Sequence, residues 1–171
     1  MKASNLIFFC IALLFTSQSF AQSTSSIAPK YSNEFLSIGI GGDALGLGNS
    51  VVAQTDNVNS AYWNPAGLTE VDKWAEIGLM HSEYFAGIAK YDYLGVAHSI
   101  DKKSTVAFTA IRFAVDDIPN TTQLIDNNGN IDYDRISTFT AADYGFLFSY
   151  ARNLKVEGLS LGGNFKLQKR S

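Results

Sequence analysis

The sequence predicts an all-β chain, and more narrowly a transmembrane antiparallel β-barrel. Three observations lead there. Runs of about ten residues alternate apolar with small or polar side chains, the period of a β-strand. After residue 21 no uncharged apolar run approaches the ~20 residues of a membrane helix, so any part embedded in a membrane must be a barrel. The connections between runs alternate short and long, as periplasmic turns and outer loops do.

The chain opens on a leader. Lys2 is followed by the uncharged apolar run Leu6 to Phe15, a polar patch and Ser19-Phe20-Ala21. This is the pattern of a secretory signal peptide over residues 1–21, with a cut after Ala21. Residues 22–30 read as a flexible lead-in. Residues 35–53 carry Gly39, Gly41, Gly42, Gly46 and Gly48, a density that favours tight turns or close backbone approach over a regular helix. Residues 59–71, NSAYWNPAGLTEV, set a break at Asn64-Pro65 beside Tyr62 and Trp63. Pro65 removes a backbone donor and disfavours helix at the residue before it.

Beyond Val71 the period becomes two. In residues 143–152, Tyr144, Phe146, Phe148 and Tyr150 share one face, while Gly145, Leu147, Ser149 and Ala151 share the other. In residues 158–168, Leu159, Leu161, Phe165 and Leu167 oppose Ser160, Asn164, Lys166 and Gln168. Residues 153–157 join these two runs as a hairpin. Trp74 to Tyr84, Tyr91 to Ile100 and Ser104 to Phe113 are three less regular runs, which brings the expected strands to five. Asp101-Lys102-Lys103 joins the second run to the third. A long polar segment, Val115 to Ala142, separates the third from the fourth.

Alternation alone does not choose between a soluble sandwich, apolar face inward, and a membrane barrel, apolar face to lipid. Strand length, the alternation of connections and the bracketing of Phe146 and Phe148 by Tyr144 and Tyr150 favour the barrel. Those four aromatic residues are the expected lipid-facing group.

Composition excludes several functions. The formal charge is −3, and loss of Lys2 with the leader makes it one unit more negative; no basic run supports nucleic-acid binding. The only cysteine, Cys10, lies inside the leader, so the exported chain has no disulfide, thiolate metal site or cysteine nucleophile. GIGGDA (residues 39–44) fits G-x-G-x-x-A, but the glycine-rich residues after it suit no dinucleotide helix. Gly158-Leu159-Ser160-Leu161-Gly162 fits G-x-S-x-G, but Ser160 sits inside a period-two run with no histidine after it. His81 and Glu83 share a strand face and make an incomplete metal shell. Residues 126–132, DNNGNID, are rich in oxygen ligands, yet their glycine is misplaced for an EF-hand; Asn128-Gly129 reads better as the tip of a hairpin. No enzyme is expected, and no cofactor or metal.

The glycine-rich ALGLGNSVVA (residues 44–53), a polar spacer, AYWNPAGL (residues 61–68) and the strands that follow resemble the start of the PorV/PorQ family of outer-membrane proteins. These are similar in fold to the long-chain fatty-acid transporter FadL. The resemblance covers residues 35–100 best. It implies a barrel of about fourteen strands with residues 22–73 as a plug in its lumen and residues 74–171 as its first strands. It also implies an outer-membrane location and a part in type IX protein secretion, with membrane lipid, other secretion proteins or exported cargo as partners. FadL-like transport of hydrophobic compounds is the alternative, and a soluble exported β-domain that binds a ligand is the third reading. Under the resemblance the plug signature is Gly46, Gly48, Tyr62, Trp63, Asn64, Pro65, Ala66 and Gly67. The Asn64-Pro65 turn would lead from plug to first strand, Tyr62 and Trp63 would wedge against the inner wall, and Gly46 and Gly48 would let the plug lie close to the strands. Without the likeness, the same stretch reads as an ordinary loop beside a core aromatic cluster.

Single-chain bacterial barrels begin at about eight strands, more than the residues after Lys73 can supply. The expectation is therefore an N-terminal part of a longer protein, containing the plug and the first five or six strands.

Overall fold

The computed structural model describes residues 33–125 and 129–171. The leader, the lead-in and residues 126–128 of the oxygen-rich loop lie outside the described residues. Five strands form one antiparallel sheet in chain order: β1 (Ala75–Tyr84), β2 (Ala89–Asp101), β3 (Ser104–Asn120), β4 (Ser137–Asn153) and β5 (Ser160–Arg170). β1 and β5 are its edges. The five expected runs coincide with these strands to within a few residues, except at the β3–β4 connection.

There the expected polar loop from Val115 to Ala142 is ladder at both its ends, and only residues 121–136 lie outside β3 and β4. After a register shift between Val115 and Ile118, pairing continues through Ile118–Phe139, Pro119–Thr138 and Asn120–Ser137. Asp117 takes φ 56° within the irregularity. A bulge of this kind breaks the side-chain alternation, which is why the period-two signal stops while the strand goes on. β3 has only β4 as a neighbour here, so Pro119 costs no bond on its other side. Beyond the ladder, Ile125 bridges Ile131 and the Asp132 amide donates to the Leu124 carbonyl at 2.8 Å, the frame of the expected hairpin tip.

Residues 34–71 cover one face of the sheet with short turns: Glu34–Ser37, Gly42–Gly46, Ser60–Trp63 and the 3₁₀ turn Pro65–Glu70. None is long enough to be stable alone; each is held by what it buries. Val58, Ala61, Leu68 and Val71 pack on Ala97, Ala107 and Ala151 of the strands. Phe35 and Ile40 pack on Tyr91, Tyr93, Ile111 and Leu147. The core is therefore one-sided, lying between this segment and the inner face of the sheet. Small strand residues let the segment approach. A Cβ at Gly145 would lie 3.0 Å from Leu36, one at Gly78 2.8 Å from Val58, and one at Gly162 would strike the Pro65–Ala66 peptide.

Candidate membrane interface

Strand register decides what the uncovered face presents. Ile77 pairs with Val96, Val96 with Phe108, Phe108 with Phe148 and Phe148 with Phe165, one apolar row across all five strands. Leu79, Leu94, Ala110, Phe146 and Leu167 form the next row in the same way. Phe108 stacks on Phe146 with centroids 6.3 Å apart and meets Phe148 at 5.1 Å. These side chains point away from the core: Leu79 is 77%, Phe165 63% and Phe148 49% exposed. An apolar face this broad, left open to solvent, is unusual for a soluble monomer.

Polar rows bound the apolar ones. Toward the short turns the neighbouring row holds His98, Val106 and Tyr150, with Arg152 one step beyond, paired with Ser104. The Arg152 guanidinium donates to the hydroxyls of Ser104 (3.2 Å) and Tyr150 (3.5 Å). Trp74 stands exposed at this end, its ring edge-on to His98 at 5.1 Å and its carbonyl accepting from the His98 Nδ1–H at 3.0 Å. Toward the long connection the bounding row is His81, Asp92, Arg112, Tyr144 and Lys169. Asp92 receives His81 at 2.6 Å and Arg112 at 3.3 Å; Asp116 receives Arg112 at 3.2 Å and Lys90 at 3.0 Å. This chain of ion pairs lies half-exposed across three strands. Along β3 it stands eight residues from Ser104, roughly 26 Å of strand, close to what a strand tilted in a bilayer needs.

The four aromatic residues singled out on β4 all lie on this outward face, Phe148 and Tyr150 the most open. Their alternate neighbours Gly145, Leu147, Ser149 and Ala151 are buried under the N-terminal segment. Sequence reasoning missed the ion-pair chain. His81, Asp92 and Arg112 stand on three separate runs, and only the register aligns them.

On the covered face, the Trp63 Nε1–H donates to the Ile40 carbonyl at 3.0 Å, and the Tyr62 hydroxyl donates to the Leu36 carbonyl. The two rings meet edge to face at 4.9 Å and pack against the cluster that includes Tyr91 and Tyr93. Burial raises the Tyr62 phenol above its ordinary pKa. The Asn64 side chain donates to the Val52 carbonyl at 3.0 Å and accepts from the Ala66 amide at 3.3 Å, capping the turn that Pro65 begins. Gly67 leaves room for the Thr55 carbonyl and the Ser60 hydroxyl.

Two expectations for this stretch are corrected. A Cβ on Gly46 or Gly48 would meet no atom within 4 Å, so neither glycine serves a close approach; Gly48 is used for its φ of +62°. The close approaches belong to the strand glycines instead. The Asn64-Pro65 turn does not lead into β1: its peptide seats on β5, and β1 starts only at Ala75, after the 3₁₀ turn. Two further contacts fix it there, Asn164 donating to the Ala61 carbonyl at 2.7 Å and Thr69 to the Ser160 hydroxyl at 3.2 Å.

Ser160 donates to Asn153 at 2.6 Å, a structural hydroxyl inside the β5 ladder. His81 also faces Glu83 at 3.6 Å, but among the described residues no group of three His, Cys, Asp or Glu is arranged to hold a metal ion. Asp132 is engaged with the Asp134 amide and Arg135. No protein-family model matches the chain, and no curated protein and no solved structure matches it.

Proposed function

We propose that this chain is part of an outer-membrane β-barrel of the PorV/PorQ type, with its outward face in lipid and residues 33–73 lying inside as a plug. One observation carries the reading: two apolar rows run across all five strands on the face opposite the core, bounded at both ends by polar, charged and aromatic side chains. A soluble sandwich would need a second sheet over that face. In hydrocarbon the free edges of β1 and β5 must also find partner strands, so the reading requires further strands beyond these five. Its likeness to PorV/PorQ, carried by ALGLGNSVVA followed by AYWNPAGL, favours a part in type IX protein secretion, as a component or an accessory; transport of hydrophobic compounds is the alternative.

The test is fractionation of the source cells with intact-mass measurement and heat-modifiable gel migration. An outer-membrane species that migrates faster unheated supports the barrel. A detergent-free soluble species overturns it. Removing the protein from its cell then separates the roles: retention of exported proteins supports secretion, and lost uptake of an apolar compound with normal export supports transport.

A further inference from the structure

The N-terminal segment carries a concavity of its own, about 200 Å³, lined by no strand residue. Leu47, Val51 and Trp63 supply its apolar part, and Asp43 and Asp56 bring two carboxylates to it. No Lys, Arg or His lines it, and neither carboxylate is among the ion pairs of the described residues. The Trp63 Nε1–H is already committed to the Ile40 carbonyl at 3.0 Å, so the ring itself is what the indole can offer a ligand. The Thr55 hydroxyl, also of the lining, is buried without a hydrogen-bond partner.

We propose that this concavity binds an organic cation, a guanidinium or primary ammonium group on a short apolar stem. Two uncompensated carboxylates in a concave site focus a negative potential that draws a cation. An indole wall favours a cation with an apolar stem, through contact with the ring face and burial of the methylenes. The volume is below that of a typical drug-sized site and suits one side-chain-sized group. A bare metal ion would gain nothing from the apolar wall, and among the described residues no third His, Cys, Asp or Glu joins the pair to hold one. The lining comes wholly from residues 43–63.

The test uses the full chain folded in detergent, with Trp74→Phe so that Trp63 is the only tryptophan and is excited selectively at the red edge of the indole band. Agmatine and a capped Gly-Arg-Gly peptide are titrated separately. The expected result is a saturable change in Trp63 emission, weakened at least tenfold by Asp43→Asn with Asp56→Asn, and absent for a neutral alcohol of the same length. Both carboxylates belong to exposed residues, so the double variant should keep its fold; calorimetric titration of single Asp56→Asn provides the second readout. Saturation by agmatine alone assigns a free amine, and equal or tighter peptide binding assigns a protein side chain. A linear response, an unchanged response in both variants, or calcium binding that displaces agmatine would overturn the proposal.

Discussion

Pro65 lies against Gly162, close enough that the Pro65–Ala66 peptide occupies the space a Cβ at position 162 would need. The contact joins the N-terminal segment to the last strand of the sheet. It accounts for a rigid break in an otherwise apolar stretch: proline fixes the backbone direction, Asn64 caps it, and a strand glycine receives it.

Gly162→Ala should therefore destabilise the fold by about 1–3 kcal/mol, since the obstructing atoms are backbone and cannot rotate away. Gly163→Ala, next in the chain but with open space around it, should be nearly neutral. Urea midpoints of the two variants in one detergent compare them directly; equal midpoints would remove the contact from the account.

Phe148→Arg distinguishes lipid from water on the outward face. In a bilayer a cation near the middle of the apolar band should cost about 2–4 kcal/mol. In a soluble protein a half-exposed Phe148 could be replaced with little loss. Folding yield into lipid vesicles, compared with Phe165→Arg and Glu83→Arg, checks it; the first two should fail where the third succeeds.

Arg112 is the common partner of Asp92 and Asp116. Its replacement by Met leaves two carboxylates near each other on the same face. Because the group is about a third exposed, the expected cost is modest, about 1 kcal/mol at low salt, and it should shrink as salt rises. Denaturation midpoints of wild type and variant across a salt series should converge.

Tyr62 makes stability fall in alkali. Its folded-state pKa is raised by burial, so its contribution is complete below the ordinary tyrosine value of about 10 and is lost as pH rises through the folded value. Tyr62→Phe should lose about 1 kcal/mol at neutral pH with the bond to Leu36. It should also show a shallower decline between about pH 9 and 12. Parallel pH profiles for the two proteins would refute the assignment.

Much of the sheet is legible along the chain. Tyr144, Phe146, Phe148 and Tyr150 declare their common face because strand side chains alternate within a few bonds of each other, a local rule that needs no partner. The β3–β4 connection escapes that rule for a local reason too, since the irregularity at Asp117 interrupts the alternation while the ladder continues. Gly48 misleads because glycine marks either close packing or a left-handed turn, and the sequence does not say which; Gly46 serves neither, ending the short helical turn Gly42–Gly46 with open space around it.

The sequence by itself determined five strands, the two faces of the last two and a broken aromatic turn before them. These follow from the period of side chains along one stretch of backbone and from the stereochemistry of proline and glycine. Only the tertiary structure decided which face the N-terminal segment covers, which side chains join into apolar rows, that His81, Asp92 and Arg112 become neighbours, and that Pro65 rests on Gly162. Each of these depends on the register between strands or on contacts across up to about a hundred residues. A shift of register by one residue would exchange the two faces of a strand without changing the pattern along it.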